Sequence, residues 1–200
     1  VGSAFSATIN KVKIELSQRD MEIVVPAEFR PLWETNAGSP VVKYPAEVLR
    51  QVAEPVERVT KSIRDLIEIM KKVMDICHGI GLAAPQVGVS QRVIIMAPGD
   101  TVIALVNPRI VSVEGEQVGD EGCLSLPALY GTVVRARKVT VEGLDERGKK
   151  VGYVLSGLAA RVAQHEIDHL DGVLFIDRAD PSTLYWSAPA EKNQKKSTAV

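Results

Sequence analysis

The segment LAARVAQHEIDHLDG (158–172) sets the strongest constraint on how this chain can fold. His165 and His169 stand four positions apart, one helical turn, so both imidazoles leave the same face. Leu158 and Val162 extend that face, while Ala159, Ala163, Ile167 and Leu170 line the other side. The pattern predicts a helix opening near Ser156, running to Gly172 and buried on both sides. Two imidazoles so close in a buried helix are costly without a shared partner, and a divalent metal ion suits them better than a purely structural pairing does. Glu166 lies about a hundred degrees round the helix from His165, within reach of a metal-bound water without being a ligand. A divalent ion lowers the pKa of such a water towards neutrality. A carboxylate beside it can take the proton and later deliver it to a leaving amine, a role that fits Glu166 better than a solvated salt bridge.

A catalytic site of this type needs three protein ligands and an open position. The chain has three histidines, and the third, His78, lies far upstream. Downstream of His169 stand Asp171, Asp177, Asp180 and Glu191, with no further histidine. Upstream, EGCLSLP (121–127) places Cys123 between a glycine and a strand-like run. A thiol beside a metal is deprotonated outright and makes a sound third ligand. On spacing alone, Cys123 is open to two readings, ligand or ordinary buried cysteine. Cys77 is different: it continues the stripe Ile63, Leu66, Ile67, Met70, Val73, Met74 along a long helix and is expected to be an inert core thiol. Ser62 with Asp65 suits a capping box for that helix, and Gly79 a stop.

The rest of the chain reads as strands. RVIIM (92–96), ALVNP (104–108), RIVSVEG (109–115), VVRARKVTVEGL (133–144) and VGYVL (151–155) have strand character, with turn chemistry at DERGKK (145–150). Strands followed by one late helix predict an α+β fold, mostly antiparallel sheets packed around a central metal-binding helix, with an N-terminal helix. At 200 residues and 46% hydrophobic content the chain can bury one sizeable core. Three segments are expected: an N-terminal extension over 1–40, partly disordered, with short strands at VKIEL (12–16) and MEIVV (21–25); a catalytic domain over 41–180; and a polar, mobile tail over 181–200. A net charge of −1 offers no general field for nucleic acid, and no apolar run has transmembrane length. Two cysteines make no disulfide framework, and with no visible secretory signal they point to an intracellular setting.

Three segments together resemble the peptide deformylase family: GIGLAAPQ (79–86), EGCLS (121–125) and QHEIDH (164–169), in that order. VVKYPAEVLRQVAEPV (41–56) and DGVLFIDR (171–178) extend the resemblance over roughly 41–180. It implies removal of the formyl group from N-formylmethionine at the start of nascent polypeptides, releasing formate. It implies Cys123, His165 and His169 as metal ligands and Glu166 as general acid/base. It further implies Gln86 and the Leu124 backbone N–H as oxyanion donors, with Gly81 at a substrate-contacting position. Ile80 and Val162 are candidates for the apolar pocket taking the methionine side chain. The family's usual metal is Fe2+, replaceable by Zn2+, Ni2+ or Co2+, and its peptide lies extended beside the cysteine strand.

Ligand imidazoles usually donate their other N–H to a carboxylate or carbonyl, and Glu121 and Asp168 are candidates. Arg135 suits one of them as a charge partner. The chain departs from many relatives at PALYG (127–131), where Ala128 replaces a glycine. His78 is expected to be a bystander near the pocket mouth. The long leader leans towards an organelle, plastid or mitochondrion, over a bacterial cytoplasm. A transient ribosome contact through the basic tail is weaker than a simply solvated tail. Two other functions compete. A zinc endopeptidase is disfavoured by the lack of a downstream ligand, and a non-catalytic binding module by three intact motifs.

Overall fold

The computed structural model describes residues 22–99 and 101–188. Helix α1 (Lys61–Ile76) buries Ile63, Leu66, Ile67, Met70, Val73 and Met74, the stripe that its periodicity demands. Its ends differ from expectation. The helix starts one residue before Ser62, with Thr60 at the N-cap and no side-chain cap bond. The Ser62 hydroxyl instead meets the Thr60 hydroxyl at 2.7 Å, and Asp65 pairs with Lys61 at 2.7 Å. At the C-terminus, His78 and not Gly79 takes the left-handed conformation, at φ 54. The N–H groups of His78 and Gly79 close onto the carbonyls of Asp75 and Met74, which ends the helix. Gly79 serves packing instead: a Cβ there would sit 2.9 Å from Leu124 Cδ1.

The sheet comprises β1 (Gly81–Ala83), β2 (Val93–Met96), β3 (Ile103–Cys123), β4 (Leu126–Leu144) and β5 (Lys150–Ser156), neighbours in that order and all antiparallel. The two runs expected at 104–108 and 109–115 are one long strand. Its register shifts between Val106 and Arg109, and the side chain of Asn107 (φ 52) is bonded to the backbone N–H and C=O of Val56 at 2.8 and 2.7 Å.

Helix α2 (Leu158–Leu170) follows β5. Side-chain alternation along β2 explains how both helices are accommodated. Val93 and Ile95 join the α1 core, while Ile94 and Met96 join the α2 core. A strand covered on both faces is apolar throughout, as VIIM is. From Ala160 to Leu170 every residue of α2 is buried, whereas Leu158 at its start is exposed. No helix among the described residues is long and apolar enough to cross a membrane.

A third apolar cluster gathers around the β3–β4 turn: Cys123, Leu126, Leu129, Leu174, Phe175, Leu184 and Trp186, with Phe29 and Trp33 against it. Residues 22–25 form no strand. Pro26 precedes a 3-10 segment, Ala27–Trp33, containing Pro31; both prolines lack the N–H that a strand ladder needs. The strand expected at 12–16 lies outside the described residues. Beyond Asp180 the chain does not leave the fold at once. A turn at Pro181–Thr183 leads into β6 (Tyr185–Trp186), which pairs with Leu129 and Tyr130 of β4. The apolar Leu184 and Trp186 are buried there, which sets these residues apart from the polar stretch that follows.

Candidate metal centre

Helix α2 presents His165 and His169 with ring centroids 5.1 Å apart. The last residue of β3 meets them: Cys123 Sγ lies 3.2 Å from His169 Nε2. One ligand atom from each of Cys123, His165 and His169 lies within 4.8 Å of the other two, and all three residues are buried. His165 Nδ1 faces Glu121 Oε2 at 2.9 Å, so the tautomer that donates there leaves Nε2 as a lone pair. That Nε2 is buried without a hydrogen-bond partner among the described residues. An orphaned buried acceptor costs about 1–3 kcal/mol unless something takes its lone pair.

The electrostatics of the three residues fit a cation. Burial pushes the Cys123 thiol up to about 12, against the Ser125 N–H bond and with the Glu166 charge adding to the rise. Only a strong positive charge at the sulfur makes it a thiolate at neutral pH. Burial, then the charges of His165 and Arg135, hold His169 well below the ordinary histidine range, so its imidazole is neutral. One sulfur and two imidazoles suit several borderline divalent metals.

Glu166 is buried beside this cluster, and its Oε2 has no hydrogen-bond partner among the described residues. Burial raises its carboxyl well above the usual range; the Glu121 and Asp168 charges reinforce the shift and Arg135 opposes it. Gly81 on β1 makes room for it. A Cβ at Gly81 would collide with Glu166 Oε1 and come within 2.9 Å of Val162 Cγ1. The glycine expected to contact substrate therefore also forms the floor under the Glu166 carboxylate. Ile80 and Val162 are buried in one apolar cluster next to it.

Gln86 sits in a 3-10 turn, Ala84–Val87, directly after β1. Its Oε1 accepts the Ala83 N–H at 2.8 Å, which turns Nε2 towards Cys123 Sγ at 3.5 Å and Ser125 Oγ at 3.3 Å. Leu124 and Ser125 form the two-residue turn joining β3 to β4. The chain from Val42 to Tyr44 ties these pieces together: its N–H groups reach the Gln86 and Ser125 carbonyls at 2.8 and 3.0 Å.

Arg135 partners both carboxylates. It forms a two-pronged pair with Glu121 at 2.9 Å and also bonds Asp168. Arg161 adds a bond to Glu121 at 2.7 Å, and Arg178 grips Asp168. Burial pushes Glu121 up, but the Arg135 and His165 hydrogen bonds outweigh it, so the carboxyl ends far below its usual range. Glu121 touches a histidine of the cluster; Asp168 is held by arginines instead. Arg161, Arg178 and Ser125 were not singled out by spacing. Arg161 falls one turn before His165 on α2, a position that by itself reads as a solvated cation.

The downstream acids go elsewhere. Asp171 pairs with Arg92, Asp177 with Arg50, and Asp180 caps the turn through Ser182, while Glu191 lies outside the described residues. His78 is exposed at the end of α1. Cys77 is half-buried, packs beside the α1 core and has its thiol raised by burial, with Lys43 opposing.

Residues 39–184 match the family model described as polypeptide deformylase. The chain is 47% identical over 140 residues to a peptide deformylase of Carboxydothermus hydrogenoformans, covering 70% of this chain and 92% of that one. A crystal structure of a peptide deformylase from Synechococcus elongatus, in complex with actinonin, is similar with a TM-score of 0.69 at 40% identity, over 74% of this chain and 82% of that one. One from Acinetobacter baumannii with Met-Ala-Ser bound gives 0.67 at 38%, over 70% and 96%. These relatives are bacterial, and nothing in them supports the organellar leaning drawn from the leader.

Proposed function

The chain belongs to the polypeptide deformylase family, hydrolases that remove N-formyl groups from nascent peptides, and on that premise we propose that it releases formate from N-formylmethionyl peptides with Glu166 as general acid and base. The observation carrying this reading is the placement of Glu166, buried and with a free Oε2, beside the Cys123, His165 and His169 cluster. Those three residues would hold a divalent cation, Fe2+ natively with Zn2+, Ni2+ or Co2+ as substitutes, which when bound supplies the Lewis acidity that acidifies water and polarises the formyl carbonyl.

Glu166 takes a proton from the attacking water and passes it to the departing amine nitrogen as the formyl C–N bond breaks. Its raised pKa suits a group that must hold the proton between these two events. Negative charge develops on the formyl oxygen, where the Gln86 Nε2–H and the Leu124 N–H serve as fixed donors. Gln86 is preorganised for this by the Ala83 N–H, which prevents its amide from turning over. Gly81 lets the backbone approach the formyl group, and Ile80 and Val162 contribute the apolar wall for the methionine side chain. The Met-Ala-Ser held by the Acinetobacter relative is the peptide left when formyl-Met-Ala-Ser loses its formyl group, which supports this substrate class. Acting on nascent chains entails a transient encounter with the ribosome, and bacterial relatives favour a bacterial cytoplasm.

The test sets formyl-Met-Ala-Ser against an internal peptide blocked at both ends. Release of formate from the first, with the second intact, is expected; cleavage of the blocked peptide alone overturns the proposal in favour of an endopeptidase.

A further inference from the structure

The turn that carries Cys123 and Leu124 continues into Ala128, whose φ of 66 is left-handed. A side chain with a Cβ adopts that conformation only when its surroundings enforce it, because Cβ crowds the following carbonyl. Two distant pieces of the chain grip the carbonyls on either side of that strained bond. Trp33 Nε1 donates to the Pro127 carbonyl at 3.0 Å, and the Ser187 N–H donates to the Ala128 carbonyl at 2.9 Å. Their rings lock together: Trp33 and Phe29 both pack on Trp186, with centroids 6.0 and 5.5 Å apart. Trp186 in turn pairs with Leu129 in the sheet.

We infer that Trp33 is a positioning residue for the site, and that the N-terminal segment over Ala27–Trp33 and the C-terminal strand β6 form a clamp enforcing the Ala128 conformation. The path from clamp to chemistry is short. Leu126, adjacent to the clamped Pro127, pairs with Cys123, and the turn between them presents the Leu124 N–H. If Pro127 and Ala128 relax, the turn swings and the sulfur leaves the two imidazoles. The inference rests on the reading of Cys123 as a ligand, though not on which amide is hydrolysed.

The test couples two substitutions in the full-length chain. Trp33→Phe keeps a ring against Trp186 but removes the N–H. Ala128→Gly makes the left-handed conformation intrinsic, so the clamp is no longer needed to enforce it. Co2+ is titrated into the metal-free protein and followed by the absorption of the thiolate–Co2+ bond. With Ala128 in place, Trp33→Phe is expected to weaken Co2+ binding about tenfold and to move the band. With Gly at 128, the same change should cost less than about twofold. Ser187→Pro removes the other donor and should show the same dependence on residue 128. Equal losses in both backgrounds would reduce Trp33 to ordinary packing, and no loss in either would remove the clamp altogether. Because Co2+ binding is read without turnover, an enzyme inactive on formyl-Met-Ala-Ser but showing the coupling would refute the proposed function and leave the clamp standing.

Discussion

Two sets of buried polar groups share helix α2 and are finished in opposite ways. In one, the buried Glu121, Asp168, Arg135 and Arg161, joined from the surface by Arg178, form a closed network in which every carboxylate oxygen accepts at least one N–H. In the other, His165 Nε2 and Glu166 Oε2 are buried and have no hydrogen-bond partner among the described residues. Only in the first does each carboxylate face more than one guanidinium group. A protein tolerates unsatisfied buried atoms where a ligand or a reaction completes them, so the closed set reads as framework and the open set is where the proposed metal and proton transfer belong. Glu121 joins the two, gripped by arginines on one side and by His165 on the other.

The comparison can be broken hardest on the open side. Glu166→Ala is expected to keep its metal, measured by elemental analysis, while turnover falls about 10²–10⁴-fold. Near-normal turnover would take Glu166 out of the mechanism. On the closed side, Arg135→Ala takes a buried cation from both carboxylates at once, leaving Glu121 to Arg161 and His165 and Asp168 to Arg178. The expected loss is about 3–5 kcal/mol of folding stability in denaturant titration, and a variant as stable as the parent would show that the network is not framework.

The joint itself gives a smaller effect. Glu121→Gln should weaken metal binding about 10–100-fold by releasing the His165 ring from its orienting acceptor. It also has a pH signature. The folded Glu121 carboxyl lies below its unfolded value, close to 4.5, so its contribution is complete above that pH and is lost as pH falls below it. The acid limb of the stability curve should therefore flatten in Glu121→Gln, and an unchanged limb would contradict the assigned ion pairs. The weakest expected effect serves as a control. Lys138 pairs with Glu114 on the exposed surface, so Lys138→Ala should leave the melting midpoint within experimental scatter.

Much of the fold was legible because it follows local periodicity. The α1 stripe and the alternating strands around DERGKK needed nothing beyond neighbours along the chain. Element ends were less legible. His78 is left-handed although Gly79 follows it, because the closure bonds count positions from the last helical turn and not residue type. The C-terminal strand was hidden because a two-residue strand has no period to detect; only Trp186 hinted at burial.

At the site, sequence alone determined that His165 and His169 leave one face of one helix with Glu166 beside them, since helical geometry follows from spacing. It also made β2 apolar on every residue, which a strand between two helices requires. Only the tertiary structure decided that Arg135 serves Glu121 and Asp168 together, that Gly81 is the floor beneath Glu166, and that Trp33 reaches Pro127 across 94 positions of sequence. The physical reason is range. Periodicity records which side of an element a residue occupies, but partnership between buried charges or across a strained turn depends on where distant segments meet, and that is set by packing of the whole core.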